Sequence, residues 1–170
     1  MASVLTDMEA CIPALRRYAA ALLRDHQEVD DLVHDCLVRA LDRLNTRREE
    51  GDLRAWLFSI LHNLFINRTR RARRHGTTES LDETDEASLG QRATQDDHVH
   101  GRDLMRALDE LPEEQRSVLL LGAVEDLSYA EVARVVGVPV GTVMSRLSRA
   151  REKLRRGLNE APAPALRRVK

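Results

Sequence analysis

Aromatic side chains are scarce in this 170-residue chain, which has one Trp, two Tyr and two Phe. Sheet proteins build their cores from aromatic and β-branched residues on alternating positions. Their shortage in the periodic stretches argues against an all-β fold and for an all-α one. Cysteine is limited to Cys11 and Cys36, at no metal-like spacing. No disulfide framework or structural metal is expected, and a reducing cytoplasm is the natural home. No apolar run approaches the roughly 20 residues that cross a bilayer, so no membrane insertion is expected. The opening MASVLTDMEA is neither basic nor continuously apolar, unlike a signal peptide. No phosphate-binding Gly loop, Ser-His-Asp set or paired catalytic carboxylates can be placed on a scaffold. Neither enzymatic activity nor a cofactor is expected.

Charge is plentiful but balanced, at a net −1. The balance conceals segregation. Acidic residues concentrate at 28–35 and 79–97, and basic residues at 68–74 and 146–156. Local patches of this kind, rather than the average, govern nucleic-acid binding.

The richest local signal is LSYAEVARVVGVPVGTVMSRLSRAREKLRR, beginning at Leu127. Ser128 followed by Glu131 has capping-box spacing. Val132, Ala133 and Val136 give helical apolar spacing. Gly137 can end a helix in a left-handed conformation, and Pro139 suits the first turn of a second helix. In that helix Val143, Leu147, Ala150 and Leu154 form one buried stripe. Thr142, Ser145, Arg146 and Arg149 fall on a different face, and Arg151, Lys153, Arg155 and Arg156 extend the positive charge. Hydroxyls can contact phosphates or bases, and Arg reads guanine through two parallel hydrogen bonds. Two helices around a tight turn, with a segregated polar face on the second, describe a DNA-binding helix-turn-helix.

Upstream, a helix from about Asp7 carries Ile12, Leu15, Tyr18, Ala19 and Leu22. A second carries Val29, Leu32, Val33, Cys36, Leu37, Ala40, Leu41 and Leu44 over four turns. Cys36 therefore reads as a small core residue. The polar side of this helix holds Asp31, His34, Asp35 and Asp42. A third helix starts near Asp52 and runs through Leu53, Trp56, Leu57, Ile60, Leu61, Leu64 and Phe65 into arginines. Trp56, Asn63, Asn67, Arg70 and Arg74 lie along one line of it, suited to unpaired bases and backbone. A lone Trp in a small helical domain usually packs, so Trp56 also reads as a core anchor.

Residues 76–100 turn polar and acidic and read as a flexible linker carrying His98 and His100. A second helical segment follows, with RDLMRALDEL and then PEEQRSVLLLGAV, the latter with Pro112 at its first helical position. The expected organisation is two small helical domains at 1–75 and 101–160, the acidic linker between them, and a disordered tail at 161–170.

These residues together carry a family resemblance. DDLVHDCLVRALDRL resembles the clamp-binding helix, and LRAWLFSILHNLFINRTRRARR the promoter-melting helix, of sigma region 2. LDELPEEQRSVLLL followed by LSYAEVARVVGVPVGTVMSRLSRAREKL resembles region 4. The chain is thus similar to the extracytoplasmic-function (ECF, group 4) sigma factors of bacterial RNA polymerase, in the sigma-70 family. The resemblance implies that Thr142, Ser145, Arg146, Arg149 and Arg151 meet the −35 element as duplex. It implies that Trp56, Asn63, Asn67, Arg70, Arg71 and Arg74 meet the −10 element where strands open. Asp31, His34, Asp35 and Arg39 would dock on the clamp helices of the largest polymerase subunit, with the flap as a second contact. Promoter DNA and an anti-sigma factor are the further partners implied, and the free protein is expected to be a monomer. Family members often have Gln at the position of His34 and an acidic residue at that of Asn67. Two rival functions are a sigma-like decoy that only binds an anti-sigma factor (an anti-anti-sigma protein) and a stand-alone helix-turn-helix regulator. The decoy could lose its basic reading face, whereas this chain keeps Arg70, Arg146 and Arg149. The stand-alone regulator would leave the first basic helix idle.

Overall fold

The computed structural model describes residues 2–47, 51–76 and 95–159; the tail and most of the expected linker lie outside the described residues. Seven α-helices and no strand are found among them: α1 (Ala2–Leu22), α2 (His26–Arg43), α3 (Leu53–His75), α4 (Gln95–Asp109), α5 (Glu113–Leu119), α6 (Tyr129–Val136) and α7 (Val140–Asn159). Helix boundaries follow local chemistry. The Asp25 carboxylate accepts from the Glu28 amide at 3.0 Å and starts α2. That of Asp52 accepts from the Arg54 amide at 2.9 Å and starts α3. Gly76, at φ 63°, ends α3 just after Arg73, Arg74 and His75, where cations oppose the helix dipole.

Three expectations about boundaries change. α1 begins at Ala2 rather than near Asp7 and carries Pro13 within it. Its buried face of Met8, Leu15, Tyr18, Ala19 and Leu22 offsets the backbone bond that proline removes. The second half begins at Gln95, so 95–100 are helical rather than linker. Those residues are too polar to show an apolar stripe, yet extending a helix already nucleated costs little. Pro112 caps α5 from outside instead of occupying its first turn.

α1, α2 and α3 pack as one bundle, with Leu15, Leu32, Cys36, Leu57, Phe58 and Leu61 at its centre. Tyr18 stands edge-on to Phe58, with ring centroids 5.5 Å apart. Cys36 is buried as expected and donates to the Leu57 carbonyl at 3.5 Å, and burial pushes its thiol up to about 12. α4 to α7 form a second bundle around Val118, Leu121, Val132, Val143 and Leu147. The two bundles meet: α6 lies against α3, α5 touches α1, and one hydrophobic cluster runs through both. Periodicity alone could not foresee this join.

After α5 the chain widens into a π-helical turn over Leu120–Val124. The Glu125 amide donates to the Leu120 carbonyl at 3.0 Å, a reach of five residues. Asp126 follows in the left-handed region at φ 54°. π turns are rare and concentrate where a side chain must be aimed. Here the side chain is that of Glu125, which is wholly buried between the bundles.

His62 lies under the same join, with Nδ1 and the Tyr18 hydroxyl hydrogen-bonded at 3.0 Å. Burial, assisted by the Arg146 guanidinium, lowers its pKa to about 4. An unfolded histidine titrates near 6.5, so between these values the unfolded chain binds more protons. The contribution of His62 is therefore complete above pH 6.5 and is lost as pH falls toward 4, by about 3 kcal/mol. Urea unfolding of the protein and of His62→Gln across this range should show the extra loss only where His62 is present. Parallel pH profiles would contradict it.

Candidate nucleic-acid interface

The helix-turn-helix forms as its sequence predicts. Ser128 Oγ accepts from the Glu131 amide at 3.3 Å, while Glu131 Oε2 accepts from the Ser128 amide at 2.8 Å, which completes the capping box. The Ser128 hydroxyl also donates to Glu131 Oε2 at 2.7 Å, and this bond, with the one from the Ser128 amide, holds the Glu131 carboxyl below its ordinary pKa. Gly137, at φ 72°, closes α6, and the Gly137 and Val138 amides both donate to the Ala133 carbonyl, at 2.9 and 3.1 Å. Pro139 caps α7 with its carbonyl, accepting from Thr142 at 2.9 Å and Val143 at 3.2 Å, so it stands just outside the first turn it was expected to enter. Val143, Leu147 and Ala150 are buried and Leu154 half-buried, which fixes how α7 is rotated.

That rotation sorts the expected reading residues. Ser145, Arg149 and Arg151 are exposed and Thr142 is half-buried. Arg146 is drawn inward: its side chain is only 21% exposed and pairs with Glu114 at 2.9 Å. α5 places a carboxylate beside Arg146, which is therefore paired where Ser145 and Arg149 are exposed. Met144, 54% exposed, and Ser148 share the outward surface with Ser145 and Arg149. Sequence reading passed over both, although Met144, Ser148 and Arg151 follow the i, i+4, i+7 spacing of one helix line.

On α3, Asn63, Asn67, Arg70, Arg71 and Arg74 are exposed. Trp56 is not continuous with them. It is half-buried, lies under the Arg47 guanidinium at 5.8 Å, and lines a cleft with Ala55, Ser59 and, from α6, Arg134 and Val135. Trp56 thus packs against the core at its base, as its core reading expects, and borders a groove at its edge. Arg68 is tied to Asp35 at 2.6 Å.

The α2 surface presents Asp31, His34, Asp35 and Arg39, with Asp31 accepting from Gln27 at 3.1 Å. Val38 and Leu41 are exposed between them at 43% and 49%. Leu41 was expected in the core stripe. The α1–α3 bundle buries the stripe through Val33, Cys36 and Ala40 and leaves Leu41 on its rim. The result is a patch that mixes exposed apolar and charged side chains. Among the described residues no group of three or more His, Cys, Asp or Glu side chains is arranged to hold a metal. No described helix is long and apolar enough to cross a membrane.

Comparison with known proteins decides the family. The family model described as "Sigma-70, region 4" matches residues 101–154, and "Sigma2 domain of PhyR" matches residues 8–62. The ECF RNA polymerase sigma factor EcfG of Rhodopseudomonas palustris is 38% identical over 89% of this chain and 83% of its own length. The chain belongs to the ECF RNA polymerase sigma factors. The RNA polymerase sigma-H factor of Pseudomonas aeruginosa is 32% identical over 80% of this chain and 76% of its own. The sigma factor RpoE of Bartonella quintana, solved in complex with the anti-sigma factor NepR, matches with a TM-score of 0.81 and 30% identity. That match covers 95% of this chain and 99% of that one. CnrH, solved with the cytosolic domain of CnrY, matches at TM-score 0.65 and 26% identity over 93% of this chain and 86% of that one. In this sigma factor the two family models fall on the two helical bundles, and the region 4 match contains the helix-turn-helix.

The turn that aims α7 depends on one left-handed residue. A Cβ on Gly137 meets nothing within 4 Å, so only backbone strain opposes it. Gly137→Ala is expected to lower stability by about 1 kcal/mol, and Gly137→Asn by less, since Asn tolerates this region. The shift in urea midpoint at constant slope measures both.

Proposed function

We propose that this chain is an alternative sigma factor that binds core RNA polymerase in the cytoplasm and directs promoter-specific initiation. An anti-sigma factor would control it. The observation that carries the reading is the pairing, in one ECF-family chain, of a helix-turn-helix whose outward face bears Ser145 and Arg149 with a separate helix whose exposed end bears Asn63, Asn67, Arg70, Arg71 and Arg74. A lone repressor has use for the first but not the second.

In this reading the region 2-like half extends to His75 and the region 4-like half from Gln95. Ser145, Arg149 and Arg151, joined by Met144 and Ser148, meet the −35 duplex in the major groove. Met144 offers an apolar contact of the kind that suits a thymine methyl. Thr142 sits at the edge of this surface, and Arg146 reaches DNA once released from Glu114. Asn63, Asn67, Arg70, Arg71 and Arg74 track the opened −10 strand, with Trp56 as a stacking platform when its groove is clear. Asp31, His34, Asp35 and Arg39, around Val38 and Leu41, dock on the polymerase clamp helices. Two modest contacts held at fixed separation by the polymerase reinforce each other without any new contact. The anti-sigma factor is supported by the Bartonella RpoE relative, which was solved with the anti-sigma factor NepR. The decoy alternative is disfavoured by the retained basic faces.

The test is transcription. The purified protein is added to core polymerase with a linear promoter template. A promoter-specific transcript is expected, and none with an active core enzyme would overturn the proposal. Arg149→Ala should change preference at a particular base. Arg155→Ala should weaken binding evenly and reduce the salt slope by about one unit.

A further inference from the structure

Glu125 is the most deeply buried charged group among the described residues, and its partners come from the other half of the molecule. Arg17 of α1 donates through Nε to Oε1 at 3.0 Å and through Nη2 to Oε2 at 2.9 Å. Arg54 of α3 donates through Nη2 to Oε2 at 2.8 Å. The glutamate side chain is 0% exposed, whereas Arg17 is 52% and Arg54 35% exposed. Both guanidinium partners reach this carboxylate only while the halves are together. Arg24 with Asp109 at 2.6 Å and Arg73 with Glu113 at 3.3 Å continue the same seam. Between them Val135 of α6, 2% exposed, is buried beside Ala55 of α3.

This closed arrangement conflicts with reading both promoter elements at once. Elements centred near −35 and −10 lie about 25 base pairs apart, or roughly 85 Å at 3.4 Å per step. A compact body of this length has a radius of gyration of about 16 Å and a diameter of about 40 Å. The 19 residue steps from Gly76 to Gln95 can reach up to about 65 Å, enough to let the two small bundles separate. Closure also sets Trp56 of α3 against α6 across a cleft. The Bartonella relative, solved in complex with its anti-sigma factor, matches across both halves at a TM-score of 0.81.

We propose that the free protein rests in this closed state, that the Glu125 carboxylate gripped by Arg17 and Arg54 is its latch, and that polymerase engagement requires the latch to open. The inference rests on the sigma-factor reading for its consequence, but the latch itself does not. Closure then hides the binding-competent state, and apparent affinity for core enzyme falls by the fraction that is open.

The experiment uses the full chain. Small-angle X-ray scattering and amide exchange are recorded for the wild type, Glu125→Gln and Arg17→Met, with circular dichroism as a check on helix content. Arg17 is exposed on α1, so Arg17→Met keeps the test valid should Glu125→Gln misfold. Both variants are expected to keep native helicity, to raise the radius of gyration from about 16 Å toward 20 Å or more, and to speed exchange in α6. The double variant should open no further than either single one, and each single variant should bind core polymerase several-fold more tightly. Native helicity with wild-type dimensions and exchange in both variants would overturn the latch. An open variant that gives no transcript with active core enzyme would sink the functional reading and leave the latch standing.

Discussion

A carboxylate with no exposed surface must be answered by cations from whatever segment of the chain can reach it, and the position of Glu125 therefore organises the molecule. The π turn over Leu120–Val124 and the left-handed Asp126 hold it clear of its own bundle. The first half supplies both guanidiniums, from helices whose other faces pack within their own bundle. Local backbone geometry that is unfavourable in isolation thus exchanges for a long-range contact. Because Arg17 is half exposed, the pair is a modest glue and a strong discriminator. Losing one partner of a buried ion costs about 3–5 kcal/mol, while the intact pair contributes far less over a hydrophobic substitute. A joint of this kind sets which arrangement forms without making it hard to leave.

The features legible in the sequence are those decided within a few residues. The capping box of Ser128 and Glu131, the left-handed Gly137 and the stripe through Val143, Leu147 and Ala150 are local, and each appears where its spacing placed it. The periodicity of α2 placed Cys36 in the core, with Leu41 the one expected core residue set on the rim. What is legible of the candidate interface is likewise helical register: Ser145 and Arg149 face outward because the buried stripe faces in.

What sequence reading missed depends on contacts distant along the chain. Arg146 satisfies the helical criterion for the outward surface, yet Glu114 from α5 pulls it inward. Val135 lies outside the apolar set read for α6 and is buried because α3 covers it. Glu125 gave no signal, since an acidic residue after an apolar run reads as a solvated end; its partners lie 108 and 71 residues away. The start of α4 was hidden for a different reason. Polar sequence carries no periodicity, so its helix is visible only through the apolar turns that follow.

The same view accounts for the charge pattern. Several opposite charges meet across elements: Arg68 with Asp35, Arg146 with Glu114, Arg73 with Glu113 and Arg17 with Glu125. A net charge of −1 is therefore no evidence against nucleic-acid binding, since each pair stores a cation on a removable carboxylate. Most of these pairs are exposed enough to contribute about 1 kcal/mol or less, and salt weakens them further. A polyanion can compete for such cations, because contact with phosphates also releases counterions. Glu125 is the exception, as it is screened from solvent and from salt. In the proposed function the surface pairs would adjust how readily basic groups turn to DNA, while the proposed latch at Glu125 holds the two halves together. DNA contact and domain opening are thus separable, controlled by different carboxylates.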